Sequence, residues 1–362
     1  MDDLMRNIPI VFSVNENYCG KLAVVINSIL ANSNSSFDFY ILSTGISIGS
    51  IEKLRRVLLN GGGDPSRLYV LDISKFIGED LTKYLSRRDG YTYISVETYY
   101  RFYIHKVLPD LDKVIYLDAD LLVLGDIADL YKIELKDVYA GVVADMWVHF
   151  CCQKSSFNVK TRKGQTIENY IRNDLGVRGR EYFNAGVMLL NLKKIREETL
   201  DKRLLRFVKN NSPLEFQDQD ALNAIFGDHI IYCDLSWNVL KDVCSIERGL
   251  DNSTFKQKLI EARLNPKVVH FTGKNKPWCV DVLEYDHIKE WWKFYLDTEF
   301  CTKEDRGRYV RILSSEKFKR YRSYFVLKFK NYEIVHVYRK DFRYSVVLFG
   351  KLIARKTIRW VE

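Results

Sequence analysis

Short apolar runs alternate with helix-spaced apolar positions from the start of the chain. Ile8-Pro9-Ile10-Val11-Phe12-Ser13 reads as a strand, and Leu22, Val25, Ile26, Ile29 and Leu30 fall at helical spacing within residues 18–30. Residues 37–42 predict a second strand, 51–59 a second helix and 67–71 a third strand. Gly61-Gly62-Gly63 punctuates the helix-to-strand turn; no Gly-Lys-Ser/Thr follows, so a phosphate loop is not expected there. Strands alternating with helices predict an α/β fold with a mostly parallel sheet covered by helices, because parallel neighbours need a crossover long enough to hold a helix.

Residues 96–107 have helical character and carry Arg101, which is either a solvated helix charge or a cation held near phosphates. The run Lys113-Val114-Ile115-Tyr116-Leu117 is rich in β-formers and ends in Asp118-Ala119-Asp120, two carboxylates one residue apart. Residues 139–145 repeat the arrangement and end in Asp145. Residues 151–181 are polar and predict an irregular excursion with a short helix. Phe183-Asn184-Ala185-Gly186 then places small residues ahead of an apolar strand, where backbone can approach a ligand closely. A helix is expected over 195–210, and another over 221–226 with Asp218 as a candidate N-cap and Gly227 as its C-cap. Val268-Val269-His270 is a short strand leading to Gly273 and a loop carrying Lys274 and Lys276, and an aromatic helix over 285–296 closes the globular part.

With 362 residues, 47% of them hydrophobic, the chain can hold one large or two modest domains. No apolar leader follows a basic start and no eighteen consecutive residues stay apolar, so neither secretion nor a membrane span is expected. Seven cysteines without a CxxC pair point to reduced thiols in a cytosolic compartment. The net charge of +9 is local: residues 302–362 hold 17 Lys+Arg against 6 Asp+Glu, leaving 39 against 41 in residues 1–301. A protein that coats nucleic acid is therefore not expected, and no nucleic-acid-binding motif accompanies the basic stretch. That stretch interleaves rings with cations, as in Phe318-Lys319-Arg320-Tyr321-Arg322-Ser323-Tyr324-Phe325, the composition of a segment that lies on an anionic membrane surface. The alternative is a small folded appendage with a solvated basic face.

Ligands in open α/β sheets collect at the carboxyl ends of strands. Asp118 and Asp120 sit there, and both can turn toward one hard cation. A third ligand from His270 favours Mn²⁺ over Mg²⁺. Such an ion can bridge nucleotide phosphates, and Arg101 and the lysines after His270 add charge where a leaving group becomes more negative. As strand-end groups the aspartates are expected to carry little packing, so Asp120→Ala should keep the fold.

Six blocks in order carry a resemblance over roughly residues 8–290: Asn17-Tyr18, Thr98-Tyr99-Tyr100-Arg101, Tyr116-Leu117-Asp118-Ala119-Asp120, Phe183-Asn184-Ala185-Gly186-Val187, Gln217-Asp218-Gln219-Asp220-Ala221-Leu222-Asn223, and His270-Phe271-Thr272-Gly273-Lys274-Asn275-Lys276-Pro277-Trp278. The chain resembles glycosyltransferase family 8, which includes bacterial lipopolysaccharide and lipooligosaccharide galactosyl- and glucosyltransferases. The resemblance implies a GT-A type, Rossmann-like mixed sheet flanked by helices over residues 1–301, with residues 302–362 as a basic, aromatic, membrane-associating extension. It further implies Mn²⁺, with Mg²⁺ as the alternative, held by Asp118, Asp120 and His270, and a UDP-sugar whose diphosphate meets Gly273 and Lys276. Asn15, Asn17, Tyr18 and Ala119 would meet the nucleotide; Asn15 stands where the family often has Asp. Arg101, Asp145, Asn184, Ala185 and Asp218 would line the sugar pocket. Gln219 would lie on the anomeric face opposite the leaving group, and Arg101, Asp145, Asp218 and Gln219 would serve catalysis.

A neutral amide is a poor nucleophile, so the expectation is a front-face, retaining transfer of galactose or glucose from UDP-galactose or UDP-glucose to a lipopolysaccharide or other glycan or glycolipid acceptor. The expected location is the cytoplasmic face of the inner membrane, held peripherally. The alternatives are a self-glucosylating, glycogenin-like starter and a non-catalytic UDP-sugar-binding membrane scaffold.

Overall fold

A computed structural model describes residues 7–78, 80–85, 95–153, 159–161, 164–250, 254–280 and 285–316, together with the backbone of four strands between residues 322 and 357. The chain divides into two compact units, Met1–Lys276 with Lys293–Phe300, and Pro277–Trp292 with Cys301–Glu362.

The first unit is built on a seven-stranded sheet. Its strands are β1 (Ile8–Ser13), β2 (Phe37–Ser43), β3 (Leu68–Asp72), β4 (Lys113–Leu117), β6 (Ala140–Ala144), β7 (Phe183–Asn191) and β8 (Ile230–Tyr232), in the order β3-β2-β1-β4-β7-β6-β8. Only β7 runs against its neighbours; every other pair is parallel, with Ile10 beside Ile115, and Ile115 in turn opposite Leu189. Both faces are covered, which is why the strands read as nearly continuous apolar runs. Ile10, Phe12, Ile115 and Leu117 pack on one side with Leu22, Val25, Ile26 and Ile29 of the helix α1 (Cys19–Asn32). Val11, Val114, Tyr116 and Met188 pack on the other with Tyr99, Tyr103 and Leu204. The helix α2 (Ile48–Asn60) starts where the Ser47 side chain accepts from the Ser50 N–H, and at its end a side chain on Gly61 would come within 2.6 Å of Leu30 Cδ1. Gly61 and Gly63 thus face Leu30 across a crowded turn, while Gly62 takes φ +79° in open space.

The apolar run through residues 113–124 is two strands in two sheets. After the break at Asp118-Ala119-Asp120 the chain continues as β5 (Leu121–Val123), which leaves the large sheet for a three-stranded one with β9 (Val239–Leu240) and β10 (Val268–His270). The expected helix over 195–210 is likewise two, Leu192–Glu197 and Leu200–Asn211, separated at Thr199 with φ +48°. This reversal lets Leu200, Leu204 and Val208 pack on the sheet. Residues 96–107 form a 3₁₀ helix, Val96–Tyr103, and one α-turn, Ile104–Val107. Of the excursion at 151–181, the described parts include the end of the helix Met146–Gln153, the residues around a bridge between Lys160 and Thr166, the helix Ile167–Asn173 and the 3₁₀ turn Gly179–Glu181.

In the second unit Trp291 packs tilted against Trp278 and edge-on against Trp292, with ring centroids at 5.1 and 5.3 Å, and Trp292 stacks in turn on Tyr309 at 5.9 Å. The Trp292 indole donates to Pro277 O at 3.2 Å. The helix at 285–296 forms as Ile288–Leu296. The helix Lys303–Glu316 leads to four antiparallel strands paired in chain order, Arg322–Phe329, Tyr332–Lys340, Arg343–Leu348 and Lys351–Thr357. The side chains read as membrane-facing in residues 318–325 lie outside the described residues. Among the described residues no helix is long and apolar enough to cross a membrane.

Candidate active site

The break between β4 and β5 brings three potential ligands together. The Asp118 N–H donates to Gly186 O at 2.9 Å, which pins the first carboxylate at the end of β4. Antiparallel pairing of β5 with β10 sets Leu121 opposite His270, so Asp120 and His270 meet at the same edge. His270 Nε2 lies 3.2 Å from Asp120 Oδ1 and 3.9 Å from Asp118 Oδ2, and one donor atom from each of the three residues falls within 4.8 Å of the others. Two carboxylates and an imidazole suit a divalent cation. Burial alone would push the Asp120 carboxyl up, but Lys276, which bonds Oδ2, and His270 outweigh it and hold the group below the usual carboxylate range.

Gly186 makes the cluster possible. A Cβ there would lie 2.3 Å from His270 Cε1 and 2.9 Å from Asp118 Oδ2. The space the sequence suggested for a ligand's approach is thus occupied by the site's own side chains. Gly186→Ala must push the imidazole off its position at an overpacking cost of about 1–3 kcal/mol. It should lower divalent-cation affinity measured by titration, and unchanged affinity would contradict this geometry.

Arg101 is not a solvated charge. Its side chain is 5% exposed, its Nη2 donates to Asp118 Oδ1 at 2.8 Å, its Nε pairs with Asp218 Oδ2 at 3.1 Å and its Nη1 donates to Ala185 O at 2.7 Å. The guanidinium lies over the Tyr116 ring at 4.3 Å, and Tyr116 Oη bonds the same Asp118 oxygen at 2.9 Å. Asp218 is not an N-cap. The helix Asp218–Phe226 begins on it, after Gln217 at φ +55°, and its carboxylate turns to Arg101 and to the Thr98 hydroxyl. Burial raises Asp218 to about 6 against the pull of Arg101. Gly227 ends that helix as expected.

A hydrogen-bonded shelf runs beside this pair. Asp145 Oδ1 accepts from the N–H groups of Trp147 and Val148, capping the helix Met146–Gln153, while Oδ2 accepts from Asn184 Nδ2 at 3.0 Å and Gln219 Nε2 at 3.2 Å. Gln219 Oε1 accepts from the Ala185 N–H at 3.0 Å. Asn238, 1% exposed, links Asn184 to His270. Below the shelf, fully buried Asp220 accepts from Tyr170 Oη, Tyr182 Oη and the Phe216 N–H at 2.6–2.8 Å, which anchors the first turn of the helix that carries Asp218 and Gln219. Burial raises Asp220 to about 6.

These groups line one cleft of about 670 Å³. It takes in Asn15, Tyr18, Arg101, Asp118, Ala119, Asp120, Asp145, Asn184, Ala185, Asp218, Gln219, His270, Gly273 and Lys276 of the residues expected from sequence. Asn17 is exposed and is not among the lining. Sequence reasoning missed Asn238, Tyr116 and Asp220 as supports. Asp220 stood in a quoted block, whereas a lone amide such as Asn238 carries no pattern.

The solved galactosyltransferase LgtC, in complex with donor and acceptor sugar analogs, aligns with a TM-score of 0.67 at 25% identity, covering 83% of this chain and 100% of that one. The WbbM bifunctional glycosyltransferase aligns in fold with a TM-score of 0.71, at 23% identity and covering 86% of this chain and 53% of that one. The architecture is thus the GT-A fold, and its class is that of the glycosyltransferases. The family model described as glycosyl transferase family 8 matches residues 9–281, and the chain belongs to that family. Lipopolysaccharide 1,2-glucosyltransferase of Escherichia coli (strain K12) is 26% identical over 272 residues, 74% of this chain and 72% of its own. General stress protein A of Bacillus subtilis (strain 168) is 25% identical over 284 residues, 76% of this chain and 88% of its own.

Proposed function

We propose that the chain transfers galactose or glucose from a UDP-sugar to a lipopolysaccharide or other cell-surface glycan, with retention at the anomeric carbon and with Mn²⁺ held by Asp118, Asp120 and His270. The convergence of those three donors at the floor of the cleft carries the reading. The ion, when bound, supplies positive charge where the departing diphosphate becomes more negative. Lys276 and Gly273 line the same cleft, and in this reading they meet the phosphates. Asn15 Oδ1 is buried and accepts no hydrogen bond in the structure, which suits a donor such as the uracil N–H.

Arg101, Asp145, Asn184, Ala185 and Asp218 form the wall for the hexose. Gln219 contributes an amide whose oxygen already accepts from Ala185 N–H, a group suited to hold the sugar and unsuited to attack it. The acceptor hydroxyl therefore attacks the anomeric carbon on the face the diphosphate leaves. The bond to the diphosphate oxygen breaks, and that oxygen takes the hydroxyl proton. The names of the Escherichia coli relative and of the galactosyltransferase support a hexose donor and a glycan acceptor.

UDP release from UDP-galactose and UDP-glucose should need Mn²⁺ and stop on addition of EDTA. Release with neither donor, in the presence of Mn²⁺ and a panel of glycan acceptors, would refute the proposal. Residues 302–362 are proposed to hold the enzyme on an anionic membrane, as their charge and aromatic content suggest. The full chain should bind anionic liposomes and release from them as salt rises, and a chain lacking those residues should not bind. Equal binding by both would reject this role for the extension.

A further inference from the structure

We infer that Asn238 is a positioning residue that selects the tautomer of His270 and ties the three-donor cluster to the hexose wall. The inference rests on the metal-dependent reading of the site given above.

Neither Asn nor His declares which of its ring or amide atoms carries hydrogen, so the assignment has to come from partners that cannot change role. Two such partners flank this chain of amides. The Gly186 backbone N–H can only donate, and it points at Asn184 Oδ1 at 3.0 Å. The Asp145 Oδ2 carboxylate oxygen accepts from Asn184 Nδ2 at 3.0 Å. Together they fix the Asn184 amide with its oxygen toward Asn238. Asn238 must then turn Nδ2 to that oxygen, at 2.9 Å, and is left with Oδ1 facing His270 Nδ1 at 3.0 Å. An amide oxygen only accepts, so Nδ1 bears the hydrogen. The lone pair of a neutral imidazole then falls on Nε2, the atom that faces Asp118 and Asp120.

The opposite setting would be useless to a cation. If Asn238 offered Nδ2 to the ring, Nδ1 would have to accept, Nε2 would carry hydrogen and the donor set would lose its nitrogen. Burial makes the choice stringent: Asn238 is 1% exposed, Asn184 6% and His270 4%, so water is a poor substitute for any missing partner. The same chain continues from Asp145 to Gln219 Nε2 at 3.2 Å. A single buried amide therefore stands between the group that would hold the ion and the groups that would hold the sugar, and a change at either end reorients it.

Two substitutions separate its functions. Asn238→Asp keeps an oxygen for His270 and loses the donor to Asn184; Asn238→Leu loses both. With Mn²⁺ alone as the probe, followed by titration calorimetry on the full chain, Asn238→Leu should weaken binding about 10- to 100-fold, the usual effect of removing the partner of a metal-ligating histidine. Asn238→Asp should hold Mn²⁺ close to wild-type affinity and lose the added affinity of UDP-galactose or UDP-glucose over UDP. Wild-type Mn²⁺ affinity in a folded Asn238→Leu protein would overturn the proposal.

Nitrogen-15 spectra of histidine-labelled wild-type protein, free of metal, provide a test that needs neither variant. His270 should show a protonated Nδ1, held by Asn238 Oδ1 whether or not Nε2 also carries hydrogen toward Asp120, and a bare Nδ1 would overturn the assignment. This measurement also distinguishes the two proposals, since it reports on Asn238 even if Mn²⁺ fails to bind and the metal-dependent reading falls.

Discussion

Under the proposed metal-dependent transfer, Asp120→Asn should reduce Mn²⁺-dependent UDP release by about a thousand-fold, because it would remove a carboxylate from the cation that offsets several kcal/mol of developing charge. The measurement is the rate of UDP release across a Mn²⁺ titration. A rate within tenfold of wild type at saturating Mn²⁺ would show that Asp120 does not hold the ion. The same substitution should also lower stability, which reverses the expectation that a strand-end aspartate can be removed at no cost to the fold. Asp120 is 9% exposed and bonds Lys276, itself 5% exposed, so neutralising it leaves an ammonium buried beside fewer anions. Breaking such a pair from one side costs about 3–5 kcal/mol. Asp120→Asn combined with Lys276→Met should recover part of the lost melting temperature without recovering activity.

Arg101→Met should be strongly destabilising. It strips a buried guanidinium from two carboxylates, Asp118 and Asp218, and from the Ala185 carbonyl. The one-sided loss again costs about 3–5 kcal/mol, or about 10 °C in melting temperature for a domain of this size. Adding Asp218→Asn should restore some of that loss, since burial already opposes ionisation of Asp218. Thermal unfolding of the two variants checks this. A single Arg101→Met variant that melts with wild type would mean the guanidinium is replaceable and that the site is held by other contacts.

The parts of this architecture that could be read from sequence are those that leave a local pattern. Strand β4 and its acidic end were legible because β-formers stop abruptly at charge, and His270 because a short β-branched strand ends on it. The α1 and α2 helices followed from apolar spacing. Where the pattern is silent the reading failed for identifiable reasons. Apolar residues continue through Leu121, Leu122 and Val123, so nothing local reports that the chain changes sheets at Ala119. Arg101 has the same spacing whether its face meets water or a core, and only the carboxylates contributed by distant segments decide. Asp218 precedes a helix as an N-cap would, yet the positive φ at Gln217 starts the helix one residue earlier and frees the carboxylate for Arg101. Asn238 was invisible because its meaning lies wholly in the orientation of its neighbours.

Asp145 spends one oxygen on the first turn of the helix Met146–Gln153, which places Trp147 and Val148 on the cleft, and the other on Asn184 and Gln219. If, as proposed, this carboxylate stands at the transferred sugar, a lineage that altered it to accept a different one would at the same time loosen a wall of the cleft beyond it. New donor preferences should therefore arise through residues around Asp145 with that aspartate retained, and libraries built to change the transferred sugar will lose fewer members if position 145 is left alone.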